Sequence, residues 1–155
     1  FYRFVIQAME FSSGDEKVAG VSLYAHRFNV FARLPFEPVN DGYSNWYFQF
    51  ASSWGQAWTY EQWTGFREWL EEHDGENIRD RRMPSDIAAW GENSWLKYAD
   101  KYLVETDKYF FYPRLSYTTN FAPFRLYASF PSVTVGSADF FVMRSFPGFS
   151  STSLR

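Results

Sequence analysis

The sequence predicts a mixed α/β domain with flanking helices, and three stretches carry that expectation. "FYRFVIQAMEFSSG" sets Phe1, Phe4, Val5, Ala8 and Met9 at helical spacing, with Gly14 as a stop. "KVAGVSLYAH" follows the polar turn "GDEK" and is short, apolar and partly β-branched, which reads as a buried strand. Helix, turn and strand in succession are half of an α/β unit. Further on, Thr59 and Gln62 have the spacing of a helix-capping box, and Trp58 and Trp63 that of a hydrophobic staple.

The remaining elements follow in order. "NVFARLPFEPVNDGYSN" holds two prolines, a glycine and three asparagines, and reads as an irregular excursion. "NWYFQFASS" is a second strand. The cap at Thr59 then opens a helix from about Tyr60 to Glu72, with Trp63, Phe66, Trp69 and Leu70 on one stripe. "EEHDGENIRDRRMP" is charged and reads as a solvated loop. "SWLKYADKYLVET" gives another helix, capped near Asn93 or Ser94, that buries Trp95, Tyr98, Ala99 and Tyr102. "KYFFYPRLSYTTNF" is a strand broken or edged by Pro113. After Phe121 the composition turns poor in charge and rich in Phe and Ser, with Pro123, Pro131 and Pro147. Residues 122–155 therefore read as an irregular tail without a catalytic residue, beside a domain that spans 1–121.

Bulk composition removes several function classes. The 155 residues suffice for one domain with a real core. A net charge of −3 and an isoelectric point near 5.4 argue against a nucleic-acid partner. Without cysteine there is no disulfide, thiolate metal site or cysteine nucleophile. No apolar run reaches the roughly 18 residues of a membrane span. The chain starts at Phe1, already in a helix-compatible register, and reads as a piece of something longer.

"SSWGQAWTYEQW", residues 52–63, places three tryptophans in twelve positions around Gly55 and Gln56. Together with "WGENSWLKYADKYL" and "YFFYPRLSYTTNF", in this order and spacing, it resembles the C-terminal half of a GT-A glycosyltransferase domain. The branch it resembles is the family-2-like bacterial sugar transferases and, more distantly, the N-acetylglucosaminyltransferase I group. The resemblance covers about residues 1–121 and departs from the family in the tail. It implies a partial GT-A fold (nucleotide-diphospho-sugar transferase-like). It further implies a nucleotide-sugar donor, a glycan or lipid-linked acceptor, and a divalent metal, Mn or Mg, held by an Asp-x-Asp motif in the full-length parent. This sequence contains no Asp-x-Asp, so the fragment is expected to hold no metal and to form the acceptor side of the site. A cytoplasmic, membrane-peripheral location goes with that reading.

Indole faces stack on the C–H faces of sugars, and amide side chains pair with hydroxyls. Gln49, Ser53, Trp54, Gly55, Gln56 and Trp58 are accordingly the substrate-binding candidates. Against that stands plain packing: Trp58 fits the staple, and a buried Gln can simply satisfy backbone groups. Trp63, Trp69 and Trp95 lie on helical stripes and read as core. A base that deprotonates the attacking hydroxyl is sought among Asp41, Glu61, Asp86 and Glu92. Asp86 and Glu92 rank first because in the family layout they flank the region facing the tryptophan motif. Asn120 matches a family position and reads as a turn anchor. His26 and His73 lack ligand spacing and read as ordinary residues. Two other functions fit the same residues: a non-catalytic carbohydrate-binding module, and an aromatic-rich structural domain.

Overall fold

The computed structural model describes residues 1–29, 32–78, 80–91 and 94–119, with the backbone of 133–135 and 138–143. It is a mixed sheet with helices on both faces. In chain order the elements are α1 (Tyr2–Phe11), β1 (Val18–Ser22), β2 (Phe28–Asn29), β3 (Leu34–Pro35), β4 (Asn45–Phe48), β5 (Gln56–Thr59), α2 (Tyr60–Glu72), α3 (Ser85–Ala88), α4 (Trp95–Thr106), β6 (Tyr109–Pro113), β7 (Val133–Val135) and β8 (Ala138–Met143). The large sheet runs β4-β6-β1-β5-β8-β7, while β2 and β3 pair separately. Strands β1 and β6 are parallel, and β4 and β5 run antiparallel to them on either side.

Strand alternation sorts the core into two layers. Trp58, Phe110 and Tyr112 face α2 and α4, where they meet Phe66, Trp69, Ala99, Tyr102 and Leu103. Val21, Ala57 and Phe111 face α1 and pack on Val5, Ala8 and Met9. Helix α2 starts where the capping box puts it. Thr59 Oγ1 accepts from Gln62 N at 3.2 Å, and Gln62 Oε1 accepts from Thr59 N at 2.9 Å. The Trp58 and Trp63 rings meet edge-on at 5.8 Å, as a staple requires.

Several expectations need correction. The excursion after β1 contains the short β2–β3 pair, Phe28 against Pro35 and Asn29 against Leu34. Pro113 ends β6 rather than breaking it, and β6 is an inner strand. The charged loop before α3 is anchored: Ile78 and Met83 are buried with Ile87, and Asp80 pairs with Arg82 at 2.8 Å and Lys101 at 3.2 Å. Tyr98 and Trp95 are only partly buried, whereas Lys97, Asp100 and Lys101 of the same helix are buried.

Strands also occur inside the stretch expected to be irregular. β8 pairs with β5, Gln56 against Met143 through Thr59 against Phe140, and β7 pairs with β8. "VTV-GS-ADFFV" carries the reason in its letters, since β-branched and aromatic runs around a Gly-Ser pair are a hairpin signature. The rest of 122–155 lies outside the described residues.

Candidate functional site

The end of the sheet where both parallel strands finish gathers most of the polar and aromatic candidates. Register puts Val21 beside Phe111, hence Ser22 beside Tyr112, while Trp46 opposes Tyr112 and Gln56 opposes Ser22. Trp46, Tyr112, Ser22 and Gln56 thus form one row across four strands. The Tyr112 hydroxyl donates to Phe50 O at 2.9 Å and lies against the Ser22 and Ser52 hydroxyls.

Three rings from the connecting loops, together with Tyr112 of the row, surround His26. Ring centroids stand 5.1 Å away for Tyr24, 5.3 Å for Phe50, 5.5 Å for Trp54 and 5.7 Å for Tyr112. Trp54 is half-buried and meets Tyr24 edge-on at 4.7 Å. Its backbone is fixed on both sides: Trp54 N donates to Ser52 Oγ at 3.3 Å, and the Thr118 hydroxyl donates to Trp54 O. Gly55 carries φ +103° and its O accepts from Leu23 N at 2.9 Å, which turns the chain into β5.

The polar groups here are short of partners. Among the described residues, no hydrogen bond reaches Gln56 Nε2 or Oε1, His26 Nε2, Trp46 Nε1 or Asp100 Oδ2, all of them buried. Native interiors leave few such atoms unpaired, and each calls for an explanation. Asp100 Oδ1 accepts from Ala51 N at 2.7 Å, so α4 grips the segment that leads into the tryptophan motif.

Burial sets the charge state of two of these groups. It pushes the His26 imidazole down to about 4 and the Asp100 carboxyl well above the carboxylate range, the latter against the opposing pull of the Ala51 N–H. Both are neutral forms favoured by a dry site. Their effects on stability have opposite sign. The unfolded chain takes up a proton on His26 below about 6.5 while the fold resists it, so stability falls from pH 6.5 towards 4, on the order of 3 kcal/mol. Neutral Asp100 adds stability at low pH that is lost as pH rises above the ordinary carboxyl range. Urea unfolding between pH 4.5 and 7 should therefore show His26→Phe gaining relative stability in acid and Asp100→Asn losing it. Parallel profiles for the two variants would contradict this assignment.

The sequence-level candidates fall in different places. Trp54, Gly55, Gln56 and the half-buried Ser53 belong to this end of the sheet. Trp58 is fully buried against Phe66 and Phe110 and is core, which decides between its two readings. Gln49 is not aimed at a ligand either: its Nε2 donates to Leu103 O at 3.1 Å and Lys108 O at 3.4 Å, tying its loop to the end of α4. Asp86 is exposed in the first turn of α3, one residue before the buried Ile87. Glu92 and Asn120 lie outside the described residues.

Asp41 caps its own loop, bonding Tyr43 N at 3.1 Å and Arg114 at 2.9 Å, and those bonds hold its carboxyl below the usual range. His73 stacks on Trp69 at 4.3 Å and its Nδ1 reaches Trp69 O at 2.7 Å, an ordinary helix end. Glu61 lines a separate open cleft of about 810 Å³ between α1 and α2, with Glu10, Asp15 and Lys108 also on its wall. That cleft is lined by Thr59, Glu61 and Gln62 of the motif but by neither Trp54 nor Gln56. The described residues bring no three His, Asp or Glu side chains together as a metal would need. No described helix is long and apolar enough to cross a membrane.

His26 and Asp100 are not legible as site residues in the sequence. A single His without ligand spacing carries no signal. Asp100 sits between Ala99 and Lys101 on a helix and looks solvated until its partner, 49 residues away, is known. Comparison with protein-family models, with curated proteins and with solved structures finds no match for this chain.

Proposed function

We propose that this chain forms the acceptor side of a glycosyltransferase, with the half-buried Trp54 and Tyr24, at the same end of the sheet as the buried Gln56 row, as its saccharide-binding surface. The observation that carries the reading is the placement of Trp54 and Gln56 at the carboxyl ends of β1 and β6. Open α/β sheets bind ligands at that end of their strands. Half-buried indole and phenol rings offer stacking faces, and the surrounding polar groups are neutral, a combination suited to sugars rather than ions.

On this reading the nucleotide-sugar donor and the divalent metal, Mn or Mg, belong to a preceding part of a longer protein. The described residues offer the metal no ligand set, and no step here runs through it. Asp86, exposed in the first turn of α3, is the described carboxylate retained as base on the strength of the resemblance. A second reading, a non-catalytic carbohydrate-binding domain, draws on Asp100. Asp100, within electrostatic reach of Tyr112, is 3% exposed and already accepts from Ala51 N, so an acceptor hydroxyl does not reach its carboxyl.

Binding and transfer assays separate the two. The 155-residue chain should bind free hexoses or N-acetylhexosamines at millimolar concentration, with tryptophan fluorescence changes that Trp54→Ala abolishes. With nucleotide sugars, manganese or magnesium and mixed acceptors it should release no nucleoside diphosphate. A longer natural chain that includes an upstream Asp-x-Asp should release it. Saccharide binding without transfer by that longer chain selects the second reading, and no saccharide binding by the 155-residue chain sinks both.

A further inference from the structure

His26 is the group at this end of the sheet that the proposed function leaves without a role. Its ring is half-buried, surrounded by Tyr24, Phe50, Trp54 and Tyr112, and its Nε2 is buried with no hydrogen bond from any described residue. A buried nitrogen left unpaired destabilises the fold unless something else pairs with it. Gln56, 1% exposed, leaves both of its amide atoms equally unpaired. Three unpaired polar atoms therefore sit on two residues at the same end of the sheet as the Trp54 ring.

We infer that His26 is a specificity residue of the saccharide site, exchanging one hydrogen bond through Nε2 with a hydroxyl of a sugar ring that stacks on Trp54, while Gln56 pairs with a neighbouring hydroxyl. This inference rests on the reading of the site given above.

The chemistry of the surroundings selects the ligand class. The described groups recorded against His26 are four aromatic rings, and the imidazole is itself held neutral by burial. Nothing among them compensates an ionic ligand, whereas a saccharide matches the aromatic faces with its C–H groups and the lone polar atoms with its hydroxyls.

Access to Nε2 requires one neighbour to turn. Tyr112 is fully buried, and Phe50 packs with Ile78, Met83 and Ile87. Tyr24 and Trp54 are half-buried, and Trp54 stands over His26 at a 39° tilt. On this inference the Trp54 indole or the Tyr24 ring turns to open the atom and present a face to the sugar.

The chain has two histidines, which makes the test direct. In a sample with isotope-labelled histidine, free hexoses, N-acetylhexosamines and hexuronic acids are titrated in turn. The expected result is a shift of the His26 imidazole signals by a neutral sugar, with His73, on the far end of α2, unmoved. His26→Phe keeps the ring packing and removes Nε2. It should weaken that sugar tenfold or more, and His26→Gln should recover part of the loss. A sugar that binds in a Trp54-dependent way without moving His26, or that binds His26→Phe equally well, overturns the inference and leaves the proposed function standing. Failure of every sugar to bind wild-type chain overturns both.

Discussion

Trp58→Ala should lower the unfolding free energy by about 3–5 kcal/mol, the usual range for emptying a buried aromatic site. The ring has no solvent exposure and meets Phe110 at 5.0 Å, Phe66 at 5.7 Å and Trp63 at 5.8 Å. Those neighbours cannot close the gap. Phe110 is fixed in the inner strand β6, and Phe66 lies on α2, whose start is locked by the capping box. The β5 backbone is itself paired on both sides, by β1 and by β8. Atoms lining the vacated volume forfeit dispersion attraction, which adds to the transfer free energy of the missing ring. Trp58→Phe should cost much less, since no described residue bonds the Trp58 Nε1 and little hydrogen-bond energy goes with it. Trp54→Ala is the internal comparison: half-buried on Tyr24 and His26, it should cost well under half as much. Equal losses at positions 54 and 58 in urea unfolding would show that the whole motif is packing.

The contrast between those two tryptophans shows what a sequence carries. Both lie in one short stretch and neither has a pattern of its own. Trp58 is placed by a local rule, its spacing to Trp63 across a cap, and the packing agrees. The start of α2 and the stripe through Phe66 and Trp69 are legible for the same reason, because cap and helix join residues only a few positions apart. What is not legible depends on distant chain. Asp100 is buried because Ala51 N lies against it, and Gln49 is consumed by the carbonyls of Leu103 and Lys108. His26 gains its surroundings from residues 24, 50, 54 and 112. The strands β7 and β8 are masked in the sequence by prolines and serines that outweigh a short hairpin signature. Trp46 is equally hidden as a member of the cross-strand row, since register between β4 and β6 is not visible in either strand alone.

Gly55→Ala tests whether the loop that carries Trp54 is held by its backbone or merely rests there. At φ +103° an L-residue is strained, at roughly 1–3 kcal/mol. The new Cβ would also stand 2.8 Å from Thr118 Cγ2 and 3.2 Å from Leu23 Cβ, and forcing a methyl into packed space costs about 1–3 kcal/mol more. The expected total is about 4 kcal/mol, close to the loss at Trp58 but with a different origin. The clash can be relieved without touching the strain. Thr118→Ser removes Cγ2 and keeps the hydroxyl that donates to Trp54 O. Added to Gly55→Ala, it should remove the closest clash and leave the strain together with the 3.2 Å contacts to Leu23 Cβ and Thr118 Oγ1, so the double variant should recover less than about half of the loss. The sugar-dependent fluorescence of Trp54 should follow the same order: weakest in the single variant, intermediate in the double. Full recovery in the double variant would mean that φ costs nothing there and that crowding alone reserves the position for glycine. No loss in the single variant would mean that the loop moves freely away from Thr118, and the anchoring of the Trp54 backbone would fall with it.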